Sequence, residues 1–337
     1  MMGALLLAAL LSCTDVPDAA GDTGVDLGDD APTLDLPDLS GVDMAAAYVE
    51  ALSLARSLTV STAWQGHVTS LSRARSGCPD IYVGAVEAAD LDAGTTAVTW
   101  QDYCNLGVAA FGGWVSWDGS LQSDGEVDTP KGRTVDARRT LSGDGLVSTD
   151  AGTAFEFRGD ASESVYLVEA TDYQRFTWSS LVDATVTGAD AFGDADAAGW
   201  RADMYQVAAG GDAPTLELRG NAWFFDARIA DRFDSIDADL SFGADPSCSL
   251  EPHGWISLRD TDAFWYDLVF LPLTGDDGGD HGKCDGCGTL YVRGVETVEY
   301  GEVCPDFGDG WQRSRDDLPD LSTFVLTLRE VLALEGS

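Results

Sequence analysis

Residues Phe176-Thr-Trp178-Ser and Val182-Asp-Ala184-Thr-Val186-Thr decide the fold, because apolar and polar side chains alternate along both segments. A period of two residues predicts a half-buried β-strand, since successive side chains of a strand point to opposite faces. The same alternation recurs at residues 155–158, 236–242 and 264–270. The sequence therefore predicts antiparallel strands with one buried face.

Clusters of Gly, Asp and Ser separate these segments and are typical of turns. They lie at residues 142–145, 158–160, 210–212 and 274–280. Such spacing is typical of meanders, sandwiches and barrels, and roughly a dozen strands fit into the chain. We therefore expect a mainly β fold: an antiparallel sheet, sandwich or open barrel, with one helix at each end covering an edge or a face.

The two terminal helices are predicted from a shared sequence, Leu-Pro-Asp-Leu-Ser, at residues 36–40 and 318–322. Ser40 is placed to cap a helix that runs to about Ser57. Apolar residues then recur at helical spacing in each segment. They are Met44, Ala47, Tyr48, Ala51, Leu52 and Ala55 in the first segment, and Phe324, Leu328, Val331, Leu332 and Leu334 in the second.

An uncharged apolar run at residues 1–11 precedes Ser12 and Cys13. It is shorter than the roughly 20 residues that a membrane-spanning helix needs. Leu10-Leu11-Ser12-Cys13 resembles the lipobox of bacterial lipoproteins, although no basic residue precedes the run. The resemblance implies a signal peptide at residues 1–12, a lipid anchor on Cys13, and a place in the cell envelope at the outer membrane or cell surface.

The segment after the leader is expected to be a disordered tether. Residues 13–39 contain eight Asp and no Lys or Arg, so they cannot bury enough apolar surface to fold. The folded part is then residues 40–337, a β-rich region whose length suits one large domain or two β subdomains.

The formal charge of -39, from 58 acidic and 19 basic residues, predicts repulsion of nucleic acid and of anionic membrane surfaces. We expect no cofactor, and calcium is the alternative, because two Asp-rich turns gather oxygen donors beside glycines. Their carboxylates belong to Asp190, Asp194 and Asp196, and to Asp276, Asp277 and Asp280. A solvated acidic surface explains the same residues without a metal.

Six cysteines remain when Cys13 is assigned to lipid, and an even number in an exported chain indicates disulfides. Cys-x-x-Ile-Tyr-Val at Cys78 is echoed by Cys-x-x-Leu-Tyr-Val at Cys287. We therefore predict that Cys78 pairs with Cys104 and Cys287 with Cys304, which leaves Cys248 for Cys284. Each bridge contributes about 2 to 4 kcal/mol.

Zinc is the alternative for these sulfurs. Cys284 and Cys287 are separated by two residues, and His281 and Cys304 complete a tetrahedral set, with Cys248 as another fourth ligand. The spacing fits zinc, but an oxidising compartment favours disulfides.

Candidate catalytic groups are few. The three histidines are His67, where a strand is expected to begin, His253 in a turn, and His281. We expect the first two to be surface or hydrogen-bonded structural residues. No nucleophile elbow, phosphate loop, dinucleotide fingerprint or zinc-protease motif is present in the sequence.

Two hypotheses for the function follow. The first is an envelope lipoprotein with a non-enzymatic binding or structural β domain, whose partner is a protein or a carbohydrate. The alternative is an extracytoplasmic hydrolase that acts on polysaccharide or peptide through a pair of carboxylates. Exposed aromatic residues on one face would supply a binding platform.

Overall fold

Within the described residues, the fold is built around one large antiparallel sheet of fourteen strands, which does not close on itself. The computed structural model describes residues 36–71, 79–84, 91–92, 94–101, 103–105, 109–124, 132–149, 152–170, 172–188, 199–244, 248, 251–270 and 284–335. The predicted leader and nearly all of the predicted tether lie outside these residues. Residues Pro37–Ser337 form one compact unit.

The strands, numbered in chain order, are Asp80–Gly84 (β1), Gly94–Thr95 (β2), Ala97–Gln101 (β3), Cys104–Asn105 (β4), Ala109–Asp124 (β5), Arg133–Thr149 (β6), Gly152–Ala170 (β7), Tyr173–Gly188 (β8), Gly199–Gly210 (β9), Thr215–Phe224 (β10), Phe233–Phe242 (β11), His253–Asp260 (β12), Trp265–Phe270 (β13), Gly288–Arg293 (β14), Thr297–Val303 (β15) and Leu326–Thr327 (β16). Their order in the large sheet is β1-β3-β5-β6-β7-β8-β9-β10-β11-β12-β13-β14-β15, β4 pairs with β5, and β2 forms a separate pair with β16. From β5 onward, strands that neighbour each other in this sheet also follow each other along the chain.

The alternating segments are all strands, which confirms the predicted antiparallel fold. In β8 every second side chain from Phe176 to Val186 is buried, whereas those between them are exposed or half-buried. We call the face that carries these buried side chains the inner face of the sheet, and the opposite face the outer face.

Two of the predicted turns are wrong. Residues 142–145 lie inside β6, and residues 158–160 lie inside β7, where Gly143 pairs with Gly159. Gly159 has φ +118, and a Cβ there would clash with the carbonyl oxygen of Asp183 on the next strand. These glycines therefore permit close approach of strands in mid-sheet. The predicted turn at residues 210–212 is present between β9 and β10.

Helix α1 (Met44–Ser57) ends where the sequence predicts, and all six of the predicted apolar positions are buried. Its N-cap is Asp43 rather than Ser40, because the Asp43 carboxylate accepts a hydrogen bond from the Ala46 amide. Ser40 lies instead in a turn closed by the Val42 amide and the Leu39 carbonyl.

The structure has a second helix, α2 (Val60–Leu71), that the sequence does not predict. The sequence predicts instead a strand that begins near His67, and that prediction is wrong. Gly66 of α2 packs directly on the Phe155 ring of β7. Helix α2 contacts β6, β7 and β8, and α1 contacts β12. The Tyr48 hydroxyl of α1 donates to the carbonyl oxygen of Tyr266 in β13, at 2.8 Å. Both helices therefore cover the inner face.

The chain after β15 runs back across the same inner face, and we call residues 304–327 the strap. Phe307 and Trp311 pack on Phe242 of β11, Arg313 stacks on Trp178 of β8, and Phe324 contacts Arg139 of β6. The strap includes two 3₁₀ turns, Arg315–Asp317 and Leu321–Phe324, and ends in β16. Helix α3 (Leu328–Glu335) follows, so it is shorter than predicted.

Among the described residues, no helix has both the length and the apolar character required to cross a membrane.

Candidate functional site

Two disulfides fasten one corner of the sheet. Cys248 pairs with Cys284, with Cα atoms 5.5 Å apart, and Cys287 pairs with Cys304, with Cα atoms 3.9 Å apart. These are the two pairings predicted from the sequence for these four cysteines. Cys104 is also disulfide-bonded, but Cys78 lies outside the described residues, so their pairing stays a prediction.

The zinc alternative is wrong, because the four cysteines that would supply its sulfur ligands form two disulfides. Cys284 and Cys287 belong to different disulfides, so neither offers a thiolate. Within the described part of the chain, one group of metal-type ligands lies close together, Cys287, Glu302 and Cys304, and its two sulfurs are bonded to each other. His281 and the calcium candidates lie outside the described residues. Calcium therefore stays a prediction.

His67 is completely buried in the middle of α2, whereas the sequence predicts a strand start and a surface or hydrogen-bonded structural residue at this position. Its ring centroid lies 5.4 Å from Trp64, 5.0 Å from Trp100 and 6.0 Å from Phe155. Neither ring nitrogen has a hydrogen-bond partner among the described residues, and burial lowers the pKa of His67 to about 3. An imidazole without contact to solvent cannot exchange a proton with a substrate, so we assign it a packing role.

His253 is the first residue of β12 rather than part of a turn, and it is half-buried. Two residues earlier, the Glu251 side chain is buried, and this burial raises its pKa.

Four polar side chains form a buried row across the inner face of β6, β7, β8 and β9. Arg139 stands opposite Glu163, Glu163 opposite Ser180, and Ser180 opposite Gln206. All four are at most 4 % exposed. Glu163 accepts hydrogen bonds from the Arg139 Nε, at 2.7 Å, and from the Trp178 indole.

This row connects the sheet to the helices and the strap. Arg139 donates to the Ser61 hydroxyl of α2 and to the Thr323 hydroxyl of the strap, the latter at 3.0 Å. The Gln206 amide donates to the Leu58 carbonyl, between α1 and α2, at 3.0 Å. Because the row is shielded from solvent, we interpret it as an internal fastening rather than a catalytic centre.

Acidic side chains form a second row, on the outer face. Asp160 stands opposite Asp183, Asp183 opposite Asp203, and Asp203 opposite Asn221. Asn221 in turn stands opposite Asp237. Like charges directly opposite one another in a sheet are unfavourable, so this row has a cost in stability. The sequence could not reveal it, because these residues are brought together only by the strand register.

The next row of the outer face carries Arg and Trp side chains. Arg201 stands opposite Trp223, and further along the row Arg259 stands opposite Trp265. Arg293 lies 5.2 Å from the centre of the Trp265 ring and binds the Asp267 carboxylate through two hydrogen bonds, at 2.8 and 3.0 Å.

On the other side of the acidic row lies a shallow depression of about 350 Å³ in the outer face, which we call the serine depression. The Oγ atoms of Ser164 and Ser179 are 2.6 Å apart within it, and Ser162 and Thr140 add two further hydroxyls. Its remaining outward-facing side chains are Arg138, Leu181 and Tyr205. The Tyr205 side chain is 40 % exposed.

A larger groove of about 900 Å³ runs along the outer side of α1, and we call it the α1 groove. Arg228 contributes to it from the loop between β10 and β11, and Cys304 and Asp306 contribute from the start of the strap.

The core holds five of the ten tryptophans, including Trp311 of the strap. Trp100, Trp117, Trp178 and Trp200 are fully buried. The exposed aromatic residues in the described part of the chain are Tyr82, Tyr103, Trp114, Tyr166, Tyr173, Tyr205, Trp223, Phe225 and Tyr300.

No family model matches the chain, and no curated protein or solved structure is significantly similar to it.

Proposed function

We propose that the protein is a lipid-anchored envelope protein whose sheet domain binds carbohydrate, without catalysis, through its outer face. The inner face is filled by α1, α2 and the strap, so the outer face is the broad surface left for a partner. The observation that carries the proposal is the serine depression beside the acidic row.

The depression and its surroundings offer groups suited to a sugar chain. The exposed Tyr205 ring supplies an amphipathic surface for the apolar face of a sugar ring. Hydroxyls of Ser162, Ser164 and Ser179 can donate or accept hydrogen bonds, and the neighbouring Asp183 carboxylate accepts them from sugar hydroxyls. With a formal charge of -39, the protein repels anionic polymers, so we expect a neutral glycan.

Binding is tested by isothermal titration calorimetry, in which the affinity of the domain for neutral β-1,4-linked hexasaccharides of glucose and of N-acetylglucosamine is measured. We expect binding of at least one of them, weakened about tenfold or more by Tyr205→Ala. The matched control is Tyr300→Ala, which removes an exposed tyrosine from β15 far along the sheet and should leave affinity unchanged. If both variants weaken the affinity equally, or if neither sugar binds, the serine depression is not the binding site.

The lipid anchor on Cys13 rests on the lipobox resemblance. Cells that express the chain should incorporate an alkyne analogue of palmitate into it, and Cys13→Ala should abolish the label while Cys104→Ala leaves it. Labelling that survives Cys13→Ala would contradict the assignment.

The hydrolase alternative has its best support at Asp237 and Asp267. Desolvation raises the pKa of Asp237, with the Asp267 charge as a smaller contribution in the same direction. Asp267 is held by Arg293, so one carboxyl is shifted toward its acid form beside a paired carboxylate. Neither residue lines the serine depression or the α1 groove. The same hexasaccharides test this alternative, because a hydrolase shortens them and a binding protein does not.

A further inference from the structure

The α1 groove lies on the side of the helix that faces away from the sheet, and nothing in its chemistry serves the proposed carbohydrate site. Its volume of about 900 Å³ lies within the range of ligand-binding cavities, about 300 to 1,000 Å³. One wall is α1 itself, with 14 residues and therefore a length of about 21 Å. The groove is thus elongated along a helix axis.

The floor of the groove is apolar, and its side chains are small or medium-sized. Ala45, Ala46, Val49 and Leu54 line it from α1 and are exposed or half-buried. Small side chains on one helix allow another helix to approach closely and to place its own side chains between them. A helix therefore fits this wall better than an extended strand, which would need a free strand edge to pair with.

The charged groups of the groove are predominantly acidic. Asp43, Glu50 and Asp306 contribute three carboxylates, against the single guanidinium of Arg228. Glu50 also accepts a hydrogen bond from the Ala230 amide, at 3.0 Å, which holds the β10–β11 loop at the rim. A partner with Lys or Arg beside its apolar face is complementary to this surface, whereas an acidic segment is repelled.

We propose that the α1 groove binds an amphipathic, basic helix of another protein. The apolar stripe of that helix packs on Val49 and Leu54, and its basic flank lies beside Asp43, Glu50 and Asp306. A second copy of this chain is disfavoured as the occupant, because each copy carries a formal charge of -39.

The test uses a fluorescein-labelled, 18-residue amphipathic peptide of Leu and Lys, with a Leu and Glu peptide of the same pattern as its control. Binding is followed by fluorescence anisotropy at 0.15 M salt. We expect the Lys peptide to bind and the Glu peptide not to bind. Val49→Arg, which fills the groove with a cation, should weaken binding about tenfold or more.

A protein this acidic attracts cations anywhere on its surface, so the decisive comparison is between two exposed charges. Asp306→Lys in the groove and Asp203→Lys on the outer face change the net charge equally. We expect a loss of about tenfold or more for Asp306→Lys and less than twofold for Asp203→Lys.

Equal losses for these two variants would show diffuse attraction and overturn the proposal, as would absence of binding. Thermal melts of each variant verify that it is folded. Sedimentation that shows dimers of the wild type, but not of Val49→Arg, would assign the groove to self-association instead. The carbohydrate titration uses other residues, so either proposal can fail alone.

Discussion

His67 illustrates how a single residue can be polar by type and apolar by environment. Its imidazole is surrounded by aromatic rings, and within the described part of the chain neither nitrogen has a hydrogen-bond partner. Leaving a buried polar group unsatisfied costs about 1 to 3 kcal/mol. Protonation would add a buried charge, so the native state holds the ring neutral.

We expect this imidazole to make the protein sensitive to acid. The pKa of His67 is about 3 when folded, against an ordinary value of 6.5. Its unfavourable effect is therefore absent above pH 6.5, and stability is lost as the pH falls from there toward 3. Between pH 7.5 and 4.5 the wild type should lose about 2 to 3 kcal/mol more unfolding free energy than His67→Leu.

Urea unfolding at the two pH values measures this difference. Phe155→Leu trims a neighbouring ring and keeps the histidine, so it should lower stability at both pH values while retaining the wild-type loss between them. If His67→Leu and the wild type lose the same free energy, the histidine is not the acid-sensitive group.

At the scale of elements, the Arg139–Glu163 pair fastens three parts of the fold to one another. The two side chains are 2 % and 1 % exposed, and Arg139 reaches α2 and the strap from β6. Removal of one partner leaves the other as an uncompensated buried charge. Glu163→Ala should therefore destabilise the domain by about 3 to 5 kcal/mol, measured by urea unfolding.

The double variant Arg139→Met, Glu163→Leu should be about 2 kcal/mol more stable than Glu163→Ala, because it removes both charges. Asp239→Ala is the matched control. It breaks the Arg219–Asp239 pair, whose side chains are more than half exposed, and should cost less than about 1 kcal/mol. A double variant as unstable as Glu163→Ala would contradict the buried-charge explanation.

The terminal elements show which signals in the sequence are local. The buried positions of α1 follow directly from helical spacing, and they are as predicted. The N-cap of α1 differs from the prediction, because Ser40 and Asp43 are both residue types that cap helices well. A turn at Gly41, with φ +98, places Asp43 at the cap position. Helix α2 escaped prediction because Val60, Thr62 and Gly66 have low helix propensity, and its packing on the sheet overrides that preference.

The alternation of apolar and polar residues predicts the strands, but it does not predict how long they are. β6 and β7 contain 17 and 19 residues, against an ordinary length of about 5 to 6. Gly143 and Gly159 therefore suggested turns in mid-strand. Their role depends on carbonyl groups of neighbouring strands, which no local pattern records.

At the scale of the whole molecule, the candidate surfaces depend on register and could not be predicted. Asp160, Asp183 and Asp203 are separated by about 20 residues each in the chain, and strand pairing aligns them. A shift of one residue in any strand would turn its aspartate inward. The pairing of Cys287 with Cys304, by contrast, could be predicted, because the sequence that follows Cys287 resembles the sequence that follows Cys78.

The strap covers apolar side chains of strands that precede it in the chain. Phe242 and Phe270 belong to β11 and β13, yet Phe307, which packs on both, follows the last strand of the large sheet. During folding, these rings therefore lack part of their cover until the strap docks on the inner face. A folding intermediate in which the sheet is assembled and the strap is not yet docked therefore exposes part of its inner lining to water and is prone to aggregation.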